Sequence, residues 1–129
     1  MDRENSPDYL LEAIALGFDV EVDVWVLGEL IYLGHSSPEY LVDENFLLEI
    51  ASVGWFHCKN LEALEFFSCR GDLYTYFWHQ EDDFTLTSNN YIWTYPGKNY
   101  GSRSIIVDLS ESYSYSEGDI YAVCADYLY

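Results

Sequence analysis

Two acidic residues in a Glu-x-Asp pattern are the side chains best placed to do chemistry. Glu21 and Asp23 alternate with valines over residues 20–24, a period of two that predicts a β-strand. Such a strand points both carboxylates to the same side, about 6–7 Å apart. Like charges this close raise each other's pKa unless a cation lies between them. The pattern predicts either a divalent-cation site or a solvated acidic face, and the neighbouring Trp25 favours the more enclosed cation site.

The three histidines, His35, His57 and His79, each follow a short apolar run. Such runs predict strands, so each histidine is expected at the C-terminal end of one. In parallel α/β architectures these ends share one rim, where active sites lie. Histidine is a metal ligand when neutral and a general acid or base near pH 7. A hydrogen-bonded histidine at a strand end is the ordinary alternative for any one of them, but three together with the carboxylates favour a site.

Helical and extended patterns alternate over the first 78 residues. The expected elements are, in chain order, a helix from Pro7 to Gly17, a strand over 18–26 that returns over 30–34, helices over 43–52 and 61–70, and strands over 54–58 and 74–78. Ser6, Asp43 and Asn60 are the expected N-caps. The alternation predicts β-α-β units around a parallel sheet. A turn at Gly28-Glu29 makes the first two strands a hairpin that returns His35 toward the carboxylates.

The second half of the chain has a different pattern. Short strands are expected over 82–87, 91–95, 104–108 and 120–125, with Ser/Asn/Gly loops too short for full helices. The polar run 110–116 predicts a loop or sheet edge. A length of 129 residues is enough for one domain with one core. We therefore predict a single α/β domain over residues 1–129, with parallel strands and few helices in its second half.

The charge balance excludes some classes of partner. With 23 acidic and 5 basic residues the formal charge is −18, whereas nucleic-acid backbones and anionic membrane surfaces require lysine and arginine. Neither partner is expected. A small phosphate ester in a metal-loaded pocket stays compatible, because the charge of the ion dominates there.

Cysteine usage and hydropathy bear on the compartment. The three cysteines are widely spaced and form no C-x-x-C pair, which argues against a disulfide scaffold and favours the reducing cytoplasm. The first residues lack the apolar core of a signal peptide. The sequence contains no run of about 18 apolar residues, so no membrane span is predicted.

Residues 4–35 resemble the glycerophosphodiester phosphodiesterases of the phospholipase-C-like barrel superfamily. The motifs are Glu4-Asn5-Ser6-Pro7 before the first helix, Glu21-x-Asp23 on a strand, and Leu33-Gly34-His35 after the next strand. A looser likeness continues through residues 55–60 to 124–127, where Asp126-Tyr127 resembles the end of the family's last strand. The resemblance implies a small or truncated TIM-barrel-like fold, because a full barrel takes about 250 residues. An open sheet edge would then need covering, so either a homo-oligomer or a barrel closed by something else is expected.

The resemblance also implies a role for each matched residue. Glu21 and Asp23 correspond to the acidic pair that binds Mg or Ca, His35 to the second catalytic histidine, and Lys59 to the phosphate-contacting lysine. His57 stands where relatives carry a third carboxylate. As a metal ligand, imidazole suits Mn or Zn better than Mg or Ca.

Three further residues are expected to contact substrate. His79 heads the polar run 80–83 and is expected to add a ligand or position a substrate hydroxyl, with a solvated acidic loop as the alternative. Trp93 and Tyr95 are expected to form an aromatic wall for a sugar or glycerol group, although core packing explains Trp93 as well.

One departure from the family bears on activity. Its members begin with a strand ending in His-Arg-Gly, which has no counterpart before Glu4, so the first catalytic histidine is expected to be missing. Losing a general acid or base costs about 10²–10⁴ in rate. We therefore predict a metal-dependent hydrolase of small phosphodiesters with impaired activity. The alternatives are an inactive descendant that binds a cation or phosphate, and an interaction protein whose acidic surface binds a basic partner.

Overall fold

A computed structural model describes residues 3–108 and 119–125 of the protein. Its contacts divide the chain into two compact units, Met1–Trp78 and His79–Tyr129. The expectation of one domain over residues 1–129 stays a prediction. The predicted polar loop 110–116 and the family-like Asp126-Tyr127 lie outside the described residues.

The first unit contains short helices that alternate with strands. Its elements are α1 (Pro7–Ala15), β1 (Val20–Leu27), β2 (Leu30–Leu33), β3 (Tyr40–Val42), α2 (Glu44–Ile50), β4 (Gly54–Cys58), α3 (Leu61–Ser68) and β5 (Thr75–Trp78). Every one was predicted to within a few residues except β3, which is three residues long. In the described part of the chain, no helix has both the length and the apolar character needed to cross a membrane.

A polar side chain begins each helix, as predicted. Ser6, Asp43 and Asn60 each accept a hydrogen bond from the backbone N–H three residues further on, at 3.2, 3.0 and 3.0 Å respectively. Each bond satisfies a donor that the first helical turn leaves unpaired, which typically stabilises a helix by about 1 kcal/mol.

Five strands of the first unit form one mixed sheet in the order β3-β2-β1-β4-β5. β1, β4 and β5 are parallel, and β2 is antiparallel to both β1 and β3. The core cluster joins buried residues of β1, β2 and β4 to those of α1, α2 and α3; it includes Leu10, Val22, Val24, Leu33, Leu47, Phe56 and Phe67. Alternation along β1 therefore turns Glu21 and Asp23 to the face opposite the valines of this core.

The second unit is built from short strands, as predicted. These are β6 (Phe84–Leu86), β7 (Ile92–Thr94), β8 (Ser104–Val107) and β9 (Ala122–Cys124), hydrogen-bonded in that order. β6 and β7 are antiparallel, whereas β7, β8 and β9 are parallel. No helix occurs in residues 79–108 or 119–125. The protein is thus mixed α/β with few helices in its second half. Its described strands form two sheets and no closed barrel, so the TIM-barrel part of the prediction is not confirmed.

Candidate metal centre

β1 places the two acidic residues on one face of the central sheet. Glu21 and Asp23 alternate with buried valines, and the Asp23 side chain is only 1% exposed. The side chain of Glu21 is 21% exposed. Because little of either side chain is exposed, the pair is shielded from solvent, and the alternative of a solvated acidic face is wrong. A charged side chain as buried as that of Asp23 also requires hydrogen-bonding or ionic partners.

β4 brings His57 to the carboxylates. The parallel register sets His57 directly beside Asp23, and its Nδ1 lies 3.1 Å from Asp23 Oδ1 and 3.6 Å from Glu21 Oε1. The imidazole stacks on Phe77 of β5, with ring centroids 4.7 Å apart. Neighbouring strands thus hold three candidate ligands together, with one donor atom of each within 4.8 Å of the others.

The β1–β2 hairpin brings His35 to the other side of Asp23, as predicted. Gly34 N–H donates to the carbonyl oxygen of Asp23 at 3.1 Å, which extends the antiparallel pairing toward the middle of β1. His35 Nδ1 then lies 3.3 Å from Asp23 Oδ2 and 3.7 Å from Glu4 Oε1. Trp25 Nε1 donates to the carbonyl oxygen of Gly34 at 2.8 Å and so anchors the segment before His35. Since β2 is antiparallel, His35 reaches the site through the hairpin and not from the end of a parallel strand.

The segment before α1 adds two site residues, Glu4 and Asn5, for which no role was predicted. Asn5 is 3% exposed; its Nδ2 donates to Asp23 Oδ2 at 2.8 Å, and its Oδ1 accepts from the backbone N–H of Asp23 at 2.8 Å. Glu4 forms a second possible ligand group with Asp23 and His35. Asn5 has a φ of 66°, a left-handed conformation that asparagine tolerates better than most residues. The sequence signal that could have identified Asn5 was an asparagine directly before the N-cap residue of a helix.

Burial and close contacts shift the proton affinities of the site. Burial, with the charge of Asp23 added, raises the pKa of Glu21 to about 8. Burial alone would also raise the pKa of Asp23, but its contacts with His57, Glu21 and Asn5 outweigh this and hold it well below its usual range. Burial lowers the pKa of His57, yet the two carboxylates raise it to about 9 overall. Without a metal, the site therefore holds Asp23 ionised and favours a proton on His57.

The donor atoms fit a divalent cation. Glu21 Oε1 is buried and has no hydrogen-bond partner among the described residues. It is therefore an unsatisfied acceptor, which a bound cation would satisfy. Ligands at 2.0–2.2 Å in a tetrahedral shell would lie about 3.3–3.6 Å apart, close to the 3.1 and 3.6 Å from His57 Nδ1 to Asp23 and Glu21. Two carboxylates and one imidazole form a donor set suited to Zn or Mn.

Lys59 continues β4 past its last residue. Its backbone N–H donates to the carbonyl oxygen of Val24 at 2.9 Å, so the alternation of the strand persists and sets Lys59 on the same sheet face as His57. The role of Lys59 in contacting phosphate stays a prediction.

The three predicted substrate-contacting residues belong to the second unit. His79 stacks on Tyr95 with ring centroids 3.8 Å apart, and its Nε2 contacts the carbonyl oxygen of Asp82. Trp93 is 5% exposed, which favours core packing over an aromatic wall. The structure thus brings His35 and His57 together around Asp23, whereas the roles of His79, Trp93 and Tyr95 in substrate binding stay predictions.

The geometry of this site is the basis for inferring function. Comparisons of the chain with protein-family models, curated proteins and solved structures found no match.

Proposed function

We propose that Glu21, Asp23 and His57 bind a divalent cation and that the protein hydrolyses a small phosphodiester, as the glycerophosphodiester phosphodiesterases do. One observation carries the proposal. Asp23 is almost fully buried, and its two carboxylate oxygens face different groups: Oδ1 faces His57, and Oδ2 faces His35. A single carboxylate thus joins a cation site to an acid–base residue.

Each residue has a chemical task in this proposal. The bound cation would supply Lewis-acid stabilisation of the negative charge that develops on the phosphoryl oxygens. Asp23 Oδ2 holds His35 Nδ1, which leaves Nε2 to exchange a proton with an oxygen of the substrate. Lys59, on the same sheet face as His57, adds a positive charge for the phosphate.

The cation we propose is Zn or Mn in preference to the Mg or Ca that the family resemblance implies. Mg and Ca prefer shells of oxygen ligands, whereas the imidazole of His57 is a nitrogen ligand. His57 must lose its proton before it ligates, so a cation displaces a proton there.

The wider setting belongs to the same proposal. A relationship to the phospholipase-C-like barrels is supported by the parallel pairing of β1, β4 and β5. Cytoplasmic localisation is supported by the free thiols of Cys58 and Cys69. Assembly into a homo-oligomer is proposed on the family resemblance alone, because a small barrel with an open sheet edge would need that edge covered or paired.

A second candidate is an inactive descendant that binds a cation, a phosphate or a basic partner. His57 favours it, because the imidazole lies between the carboxylates with its Nδ1 3.1 Å from Asp23 Oδ1. A protonated His57 neutralises charge there without any metal. Turnover distinguishes the two candidates, because cation binding is common to the enzyme and to a cation-binding descendant.

Calorimetric titration with Mg, Ca, Mn and Zn tests the site first. The variant is Asp23→Asn, and the matched control is Glu49→Gln, which neutralises an exposed carboxylate on α2. Losing a ligand's hydrogen-bonding partner alone costs about 10–100-fold in metal affinity, so losing the ligand itself should cost at least about 100-fold. Glu49→Gln should bind as the wild type does. Absent binding, or equal binding by all three proteins, contradicts the metal site.

Hydrolysis of glycerophosphodiesters by the metal-loaded protein then tests the activity. His35→Asn should abolish turnover while metal affinity stays within a few-fold of the wild type. Metal binding without turnover in the wild type would support the inactive descendant.

A further inference from the structure

Asn5 makes two hydrogen bonds to the same residue, Asp23. Its Nδ2 donates to the carboxylate Oδ2, and its Oδ1 accepts from the backbone N–H, both at 2.8 Å. Both residues are buried. The second bond occupies a backbone donor of β1 at a point where β2 has already ended, since the last paired residue of β2 is Leu33 opposite Val24.

Asn60 makes a comparable pair of bonds on the other side of the same strand. Its Nδ2 donates to the carbonyl oxygen of Val26 at 2.9 Å, and its Oδ1 accepts from the backbone N–H of Val26 at 3.2 Å. β4 has ended there too, since Cys58 is its last residue and lies opposite Val24. Two asparagine side chains thus extend the pairing of β1, but only that of Asn5 also bonds to a candidate ligand.

This difference between Asn5 and Asn60 bears on the metal centre, because the orientation of an aspartate carboxylate is set by the groups around it. Its terminal torsion is broad and roughly two-fold, so the direction of the two oxygens depends on donors around them. The Nδ1 of His57 cannot donate while it ligates a cation, which leaves Asn5 and His35 facing Oδ2. His35 is 61% exposed and lies at 3.3 Å, whereas Asn5 is buried and lies at 2.8 Å. Asn5 is therefore the stronger anchor.

We propose that Asn5 is a positioning residue for the metal centre, which directs Asp23 Oδ1 toward Glu21 and His57 and Oδ2 toward His35. The inference rests on the proposed cation site. It extends that proposal to a residue that does not itself ligate, and it assigns Asn5 a task beyond pairing with the backbone of β1. Partners that orient a ligating carboxylate generally raise metal affinity.

Matched Asn→Gly exchanges separate positioning from support of the strand. Glycine adopts a φ of 66° without strain, so Asn5→Gly removes the side chain without distorting the backbone. Asn60→Gly removes the comparable bonds to Val26, and glycine is an acceptable N-cap. Both variants should unfold at lower temperature. Only Asn5→Gly should lose Zn affinity, by about 10–100-fold in calorimetry, and shift the visible spectrum of bound Co²⁺.

Each pattern of results has one meaning. Wild-type affinity and an unchanged Co²⁺ spectrum in Asn5→Gly would overturn the inference alone, provided that Asp23→Asn abolishes binding. Equal losses in Asn5→Gly and Asn60→Gly would also overturn it, because the effect would then follow general destabilisation. Absence of binding in the wild type would overturn both the cation site and the role of Asn5.

A second measurement uses only the wild-type protein. In the ¹⁵N-labelled wild type, the side-chain amide signals of Asn5 should shift on addition of Zn, because its Nδ2 bonds to a ligating carboxylate. Those of Asn60 should stay unchanged, since its side chain bonds to the backbone of Val26 and Ala63 and not to a candidate ligand. Unshifted Asn5 signals in a Zn-bound protein would overturn the inference.

Discussion

Replacing Glu21 by glutamine is expected to stabilise the metal-free protein while removing its cation affinity. Glu21 Oε1 is buried and lacks a hydrogen-bond partner among the described residues. Burial and the charge of Asp23 raise the pKa of Glu21 to about 8, from an ordinary value of 4.5. Near neutral pH the folded protein thus holds a proton on Glu21 that the unfolded chain releases.

The size of the effect follows from linkage between proton binding and folding. Between about pH 4.5 and about pH 8, the free energy of unfolding falls by about 1.4 kcal/mol for each pH unit, because the native state binds the extra proton. At pH 7 this amounts to about 3 kcal/mol. Glutamine escapes this cost because it is uncharged in both the folded and the unfolded chain, and the pKa of about 8 already includes the attraction between Glu21 and His57. We therefore expect a gain of up to about 3 kcal/mol at pH 7.

Urea unfolding of metal-free wild type and Glu21→Gln measures this directly. The two free energies of unfolding should be similar near pH 5, where Glu21 is protonated in the native state, and should diverge as the pH rises toward 8. Glu49→Gln is the matched control; it is exposed on α2, and its stability should stay within about 0.5 kcal/mol of the wild type at each pH. Calorimetry should show that Glu21→Gln has lost affinity for Zn.

Either of two outcomes would contradict this prediction. The first is a Glu21→Gln variant that is less stable than the wild type at pH 8, and the second is a stability difference that does not grow with pH. Either would mean that burying the Glu21 carboxylate does not lower the free energy of unfolding. A gain in stability with unchanged Zn affinity would keep the electrostatic argument but remove Glu21 from the metal site.

Two further predictions concern the segment that carries His35 and the reactivity of the cysteines. A Cβ on Gly34 would lie 1.9 Å from the backbone oxygen of Ser37, so Gly34→Ala must displace this segment. It should cost about 1–3 kcal/mol in urea unfolding and abolish turnover, and a variant as stable and active as the wild type would contradict it. Burial raises the pKa of Cys58 to about 12, whereas Cys69 is exposed. A thiol reagent at about pH 8 should therefore label Cys69 in the native protein and Cys58 only after unfolding, and labelling of native Cys69→Ser at Cys58 would contradict this.

Local patterns predicted most of the elements because their causes are local. The alternation over residues 20–24 predicts β1, since the period of the side chains is set by the strand itself. Ser6, Asp43 and Asn60 cap their helices as predicted, because a cap needs only its own side chain and the next turn. The hairpin also follows from local signals, so the approach of His35 to Asp23 was predictable.

Other features depend on contacts between distant parts of the chain. β3 is a three-residue edge strand whose pairing with β2 is tertiary, and no periodicity can show in so short a run. The second sheet, with its parallel pairing of β7 and β8, was predicted as strands but not as a separate hydrogen-bonded set. A local sequence pattern predicts that a segment is a strand, but it does not specify which other strand the segment pairs with.

The candidate site divides in the same way. Residue identity and strand alternation alone specify the donor types and the shared face of Glu21 and Asp23, because neither requires a partner elsewhere in the chain. Tertiary structure decided that Asp23 is buried, that β4 sets His57 beside it, and that Asn5 bonds to it from 18 positions away. Burial and pairing are properties of the packed sheet, and they turn two alternating carboxylates into one enclosed site.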